Sequence, residues 1–161
     1  MPVGGPGPMQ LRDLSLRLRA AGLEGQGLRR ELYRAINDAA KPLAGEIQNL
    51  GHLMAYMPDR YAGVLAGDLS VTAAKRGGAR ASVSIVAKGR VHKRQVQRLN
   101  AGLLKHPVFA ERGAPRSSWT WVTQTAGLRP GFFTEPTRRA APGIRRLVEQ
   151  AVHETAAKIT G

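Results

Sequence analysis

The sequence has no cysteine among its 161 residues and few aromatic or acidic side chains. Without cysteine the chain can form neither a disulfide nor a thiolate zinc site, so packing must hold it together. No stretch approaches the roughly 20 consecutive apolar residues that a membrane-spanning helix needs. The first eight residues lack the pattern of a secretory signal, and their glycines and prolines predict a flexible arm over residues 1–8.

The remaining length predicts a single domain over residues 9–161. A chain of this size can bury a substantial hydrophobic core. The apolar content of 42% is ordinary for a globular protein, and we find no internal repeat.

Acidic residues are scarce relative to basic ones. Lys and Arg number 25 against 11 for Asp and Glu, which gives a net charge of +14. Between residues 69 and 134, twelve basic residues accompany one acid, Glu111. Such a field attracts nucleic acid or an acidic protein surface, and the third interpretation is a solubilising surface with no specific partner. The predicted basic patch consists of Lys75, Arg76, Arg80, Lys88, Arg90, Lys93, Arg94 and Arg98.

Hydrophobic periodicity predicts helices in the first third of the chain. Leucines at positions 11, 14, 16 and 18 predict a short amphipathic helix over residues 9–21, ended by Gly22. After a loop at residues 25–27, apolar residues recur every three or four positions. They predict one long helix, kinked near Pro42 and ended by Pro58. Residues 58–68 are expected to form a polar link.

Alternating apolar residues predict strands in the middle of the chain. Residues 69–73 and 81–87 form a hairpin around a turn at 75–78, and residues 119–124 form a further strand. Residues 89–100 fit either a strand extension or a short helix. Thr134 caps a closing helix that Pro142 bends or divides. The order predicts an α+β fold, in which a small antiparallel β-sheet packs with a long N-terminal helix and a C-terminal helix.

Five of the eight aromatic residues fall within residues 102–133. Aromatic rings carry the largest burial energy of any side chains, so a chain with few of them is not expected to place them in a mobile loop. Pro107 and Pro130 restrict the backbone on either side. We therefore predict an ordered, extended excursion over residues 102–133.

No group of residues predicts catalysis, a cofactor or a metal ion. Glu149 and His153, four apart on the closing helix, are typical of a surface pair. The chain has no Gly-x-Ser-x-Gly nucleophile motif, and Gly77-Gly78 lacks the Lys-Ser/Thr that completes a phosphate loop. His92, Asn100 and His106 only faintly resemble an HNH nuclease and lack the supporting acids. We expect no enzyme. A basic nucleic-acid-binding module is one function that the composition allows. Against it, the basic and aromatic residues fall in separate segments, whereas a single-strand binder alternates them on one surface.

Four segments together point to a family. They are the long N-terminal helix ending at Met57-Pro58 and continued by residues 61–65 and 68–71; Leu104-Lys-His-Pro-Val-Phe109; Trp121-Val-Thr-Gln124 leading to Pro130-Gly-Phe-Phe133; and the closing amphipathic helix. In this order they resemble the small head–tail junction proteins of long-tailed bacteriophages, the tail-completion or neck family, as found in phages and prophages of actinobacteria. Ala62-Gly63 and Gly67-Asp68 replace the Thr-Gly common in that family, and the His106 segment replaces its Glu-Phe-Gly-Thr-like segment.

The resemblance implies a non-enzymatic structural protein of the virion, assembled in the host cytoplasm, that joins the DNA-filled head to the tail. It implies a homo-oligomeric ring, sixfold by preference or twelvefold, between portal-side connector and tail-tube proteins. A stopper or tail terminator ring is the alternative. The basic patch then faces an acidic neighbour or the genomic DNA in the lumen, and no membrane is involved.

A ring subunit needs two different complementary faces, and interface energy concentrates in Trp, Phe, Tyr and Arg. The excursion is therefore predicted to reach onto a neighbouring subunit. Trp121, Phe132 and Phe133 should be buried at that contact or directly beneath it. The candidate interface residues are His106, Pro107, Phe109, Trp119, Trp121, Pro130, Phe132 and Phe133.

Overall fold

The computed structural model describes residues 10–108 and 113–160, so the predicted arm at residues 1–8 and Phe109 lie outside the described residues. The described part forms six α-helices and four β-strands. The helices are α1 Leu11–Ala20, α2 Gly22–Gln48, α3 Leu50–Met54, α4 Asp59–Asp68, α5 Lys93–Asn100 and α6 Thr134–Thr160. The strands are β1 Leu69–Arg76, β2 Ser82–Gly89, β3 Leu104–Val108 and β4 Thr120–Gln124.

The predicted α+β class is confirmed, although the strands divide differently from the prediction. β1 pairs with β2, and β3 pairs antiparallel with β4, so the described chain has two two-stranded sheets in place of one. β4 matches the strand predicted at residues 119–124. β3 was not predicted as a strand, because Pro107 interrupts a segment of only five residues.

By its internal contacts the chain divides into two compact units. Unit 1 comprises Met1–Pro42, Thr72–Val86 and Arg139–Gly161. Unit 2 comprises Leu43–Val71 and Ala87–Arg138. Helices α2 and α6 and strands β1 and β2 each contribute residues to both units. The prediction of one domain over residues 9–161 stays a prediction.

Unit 1 is built around aliphatic side chains spaced for one helical face. Leu14 and Leu18 of α1 are buried with Leu32 and Ile36 of α2, as the periodicity predicted. The other buried members of this core are Ala40, Ala73, Ala151, Val152 and Ala156. Gly22 has a φ of +62°, the left-handed conformation expected where the first helix ends.

The structure corrects three predictions about the first half of the chain. The supposed loop at residues 25–27 lies inside α2. The run predicted to reach Pro58 as one helix is interrupted at Asn49, whose extended backbone and side-chain bond to the His52 N–H begin α3. Residues 59–68, predicted as a polar link, form α4. Its buried Ala62, Leu65 and Asp68 recur at a spacing of three, a helical signal that the two glycines of this segment concealed.

The short segment after β2 and the closing helix also differ from what the sequence predicted. Residues 93–100 form α5. From the sequence they fitted either a strand extension or a short helix. Pro142 neither divides α6 nor ends it. Pro142 is exposed. Water can therefore hydrogen-bond the helix carbonyl that lacks a backbone partner because proline has no N–H. No helix within residues 10–108 and 113–160 combines the length and apolar character needed to cross a bilayer.

Candidate partner-binding surface

The Pro-Gly-Phe-Phe segment folds into the interior of unit 2. The Phe132 side chain is 0% exposed, and its backbone carbonyl accepts a 2.7 Å hydrogen bond from His52 Nε2. Asn100, the last residue of α5, accepts bonds through Oδ1 from the backbone N–H groups of Phe133 and Thr134, at 2.9 and 3.2 Å. This side chain therefore satisfies donors at the start of α6, the role that the sequence assigned to Thr134 itself.

A polar cluster holds the same segment from the other side. Glu135 Oε2 accepts hydrogen bonds from the Tyr56 hydroxyl at 2.6 Å and from Arg129 Nη2 at 3.1 Å. The Tyr56 bond, and then the Arg129 charge, hold the pKa of Glu135 below its ordinary value. Gly131 has a φ of +99°, and a Cβ added there would lie 2.8 Å from Glu135 Cγ. The segment therefore requires glycine at this position.

These contacts place the predicted interface residues at different depths. Phe132 can act only beneath a surface, which is one of the two positions predicted for it from the sequence. Phe133 is half-buried, and Pro130 is exposed. Their interface role stays a prediction.

The β3–β4 hairpin carries the other candidates. His106 lies opposite Val122, and Pro107 lies opposite Trp121. Most of β4 is exposed, including 44% of Trp121 and 38% of Val122. The Trp119 and Trp121 rings lie 5.9 Å apart, and Trp119 Nε1 donates to the Ala114 carbonyl at 3.0 Å. His106 Nδ1 bonds the neighbouring Pro107 carbonyl at 3.3 Å, an ordinary backbone contact.

Each strand of this hairpin has a single partner within the described chain. One edge of β4 therefore presents N–H and C=O groups that no described strand pairs. The β4 sequence Thr-Trp-Val-Thr-Gln has no charge and no proline, which are two of the devices that block pairing at an exposed edge. This edge is suited to receive a strand from another chain.

Unit 2 also contains an open groove with a volume of about 340 Å³. It lies among α4, α5, β3 and Trp121. Val64 on α4, which is 54% exposed, contributes an apolar surface to solvent. The lining residues are Arg60, Tyr61, Val64, Leu65, His92, Gln95, Leu99, Leu104, Lys105, His106, Pro107 and Trp121. Three of them, His106, Pro107 and Trp121, are interface residues predicted from the sequence. The α4 wall was not predicted, although positions 61, 64 and 65 have helical spacing.

The predicted basic patch is shared between the two units. Lys75, Arg76 and Arg80 belong to unit 1, where Lys75 lies 5.6 Å from the Tyr33 ring centroid and bonds Asn37. In unit 2, the other five residues lie between positions 88 and 98, and all except Arg98 are exposed.

Buried Asp68 positions the start of that basic segment. Its carboxylate accepts bonds from the N–H groups of Val91 at 2.7 Å and His92 at 3.0 Å. The Val91 bond is the main reason that the pKa of Asp68 lies below its ordinary value. The carboxylate therefore fixes the loop before α5.

A metal site needs several His, Asp or Glu side chains close together. No group of three or more His, Asp or Glu side chains converges there. Glu149 and His153 remain exposed on α6, in keeping with a surface pair. The surface features of unit 2 that are suited to binding are an open strand edge and an apolar groove with cations at its rim. No protein-family model matches this chain, and neither a curated protein nor a solved structure matches it.

Proposed function

We propose that the chain is a structural protein of the head–tail junction of a long-tailed bacteriophage, where it forms one subunit of a ring and runs no reaction. The observation that carries this proposal is the exposed edge of β4. The resemblance of the His-Pro-Val-Phe and Pro-Gly-Phe-Phe segments to the neck family supplies the kind of assembly. Sixfold symmetry is favoured over twelvefold, and the stopper and terminator rings are alternatives within the same junction.

The open edge supports an assembly role for a physical reason. An exposed, uncharged edge strand invites uncontrolled aggregation, and proteins usually cover it or place a charge on it. A strand edge that lacks these protections is explained when another subunit pairs with it. Trp121 adds an aromatic anchor of the kind that dominates interface energies.

Val122→Lys tests the proposal, since it adds a charge to the exposed face of β4 without removing a buried side chain. We expect lysates of a phage carrying this variant to contain filled heads without tails, with loss of most infectious titre. Electron microscopy and plaque counts measure the two effects. Immunoblotting of purified virions tests whether the wild-type protein is present in the particle.

Ser117→Lys is the matched control, because Ser117 is exposed in the connection between the same two strands and lies outside β4. It should leave tailed particles intact. Tailed, infectious particles with Val122→Lys, or absence of the wild-type protein from virions, would contradict the proposal.

The second candidate is a nucleic-acid-binding module, which the exposed cations between residues 88 and 98 favour. In that case the logarithm of the DNA association constant should fall steeply with the logarithm of salt concentration, by about 0.9 per phosphate contact. Joint replacement of Lys93 and Arg94 by glutamine should reduce that slope by about two. The exposed pair Arg145 and Arg146 on α6 supplies a control with the same change of charge. Equal effects from both pairs would argue against a defined DNA surface on α5.

A further inference from the structure

The groove of unit 2 leaves apolar side chains open to water. Val64 of α4 and Trp121 of β4 are 54% and 44% exposed, although both line this concave surface. A volume of about 340 Å³ falls at the lower end of the range for ligand pockets, about 300–1,000 Å³. Such a site has room for a few side chains rather than for a folded domain.

The charge around the groove has one sign. The charged residues that line it, Arg60 and Lys105, are both cations, and its lining residues include no Asp or Glu. The carboxylate of Asp68 lies 3.5 Å from His92 Nδ1, and its oxygens already accept two backbone N–H groups. An occupant with carboxylates would therefore complement the rim, and one with cations would be repelled.

One lining residue carries an unmet hydrogen-bonding requirement. Gln95 Nε2 donates to the Lys105 carbonyl at 2.9 Å, which fixes the orientation of the amide because a carbonyl can only accept. Gln95 Oε1 is buried and has no hydrogen-bond partner among the described residues. Leaving a buried acceptor unpaired costs about 1–3 kcal/mol, so the packing of this wall of the groove carries an unfavourable contribution.

We propose that the groove binds a short acidic peptide segment of a partner protein, with an apolar side chain placed against Val64 and Leu99. Glutamates or aspartates on either side of that side chain pair with Arg60 and Lys105. The inference rests on the proposed assembly role and names the chemistry of the partner.

Fluorescence anisotropy with the purified full chain tests the inference directly. The probe is a labelled peptide of alternating leucine and glutamate, compared with two others in which lysine replaces glutamate or serine replaces leucine. We expect only the leucine–glutamate peptide to bind. Val64→Glu should abolish binding, since it places a charge on the apolar wall, and Arg60→Glu should weaken it by about fivefold.

Arg94→Glu is the matched control, because Arg94 is exposed in the same unit and does not line the groove. It should change affinity much less than Arg60→Glu. Equal weakening by the two variants, binding of the serine peptide, or equal competition by an oligonucleotide of the same charge would each overturn the inference. Val64 is exposed, so its variant should fold, and circular dichroism checks this. If it does not fold, the Arg60 and Arg94 comparison decides.

The two proposals fail separately. The peptide experiment uses isolated protein, so absence of binding overturns the groove assignment while leaving the virion and tail-attachment results intact. Conversely, absence of the protein from virions overturns the proposed junction role, even if the peptide binds.

Discussion

Phe132→Ala should lower the free energy of unfolding by about 3–5 kcal/mol, the range typical of removing a buried aromatic ring. The Phe132 side chain is 0% exposed, and the segment around it is held by His52 and Asn100. These bonds restrict the backbone from collapsing into the space that the ring leaves. The cost should therefore include a cavity as well as the lost transfer energy.

Chemical denaturation followed by circular dichroism measures the loss. Trp121→Ala is the control, because it removes a larger ring from the same part of the chain, but one that is 44% exposed. We expect it to cost clearly less than Phe132→Ala. Similar losses for the two variants would show that Phe132 is not a core residue. If Phe132→Ala does not fold, Phe132→Leu should give a smaller loss of the same sign.

Gly25→Ala should destabilise the protein by about 1–3 kcal/mol or more, the usual cost of overpacking. A Cβ at position 25 would lie 1.9 Å from the Leu18 carbonyl oxygen and 2.9 Å from its carbon. Both are backbone atoms, so no side-chain rotation can relieve the contact. Since Leu18 is itself buried in the core of unit 1, α1 or α2 would have to move away from its packed position.

Gly27→Ala supplies a control two residues further along the same helix. A Cβ there meets nothing within 4 Å. Alanine in a helix interior is favoured over glycine by about 0.5–1 kcal/mol, so this variant should be more stable than the wild type. Thermal unfolding of both variants should therefore give shifts of opposite sign. Shifts of the same sign would contradict the close approach of the two helices.

The comparison of Gly25 with Gly27 illustrates why part of the fold was not predicted. From sequence, the pair indicated a loop, because two glycines close together weaken any helix. In the structure, Gly25 is needed where α2 passes the backbone of α1, a contact that no local pattern records. Similarly, the glycines of residues 59–68 concealed α4, whose apolar residues pack within unit 2.

The candidate surface was predicted only in part, again because local sequence patterns do not record contacts between distant residues. Aromatic content singled out residues 102–133, and alternation predicted β4. These signals could not tell that Phe132 points into the core while Trp121 remains partly exposed, since both are aromatic residues of the same segment. Gln95 was not singled out at all, because an unpaired buried acceptor exists only once the surrounding chain has packed.

The sequence by itself determined the α+β class, the amphipathic helices at both ends, the first hairpin and the excess of positive charge. These features follow from composition and from the spacing of apolar residues, and that spacing can be read from residues close together in the chain. Only the tertiary structure decided the passage of α2 at Gly25, the depth of Phe132 and the groove between α4, α5 and the β3–β4 hairpin. Those features join residues far apart in sequence, and their energies arise from contacts that form only when the whole chain is packed.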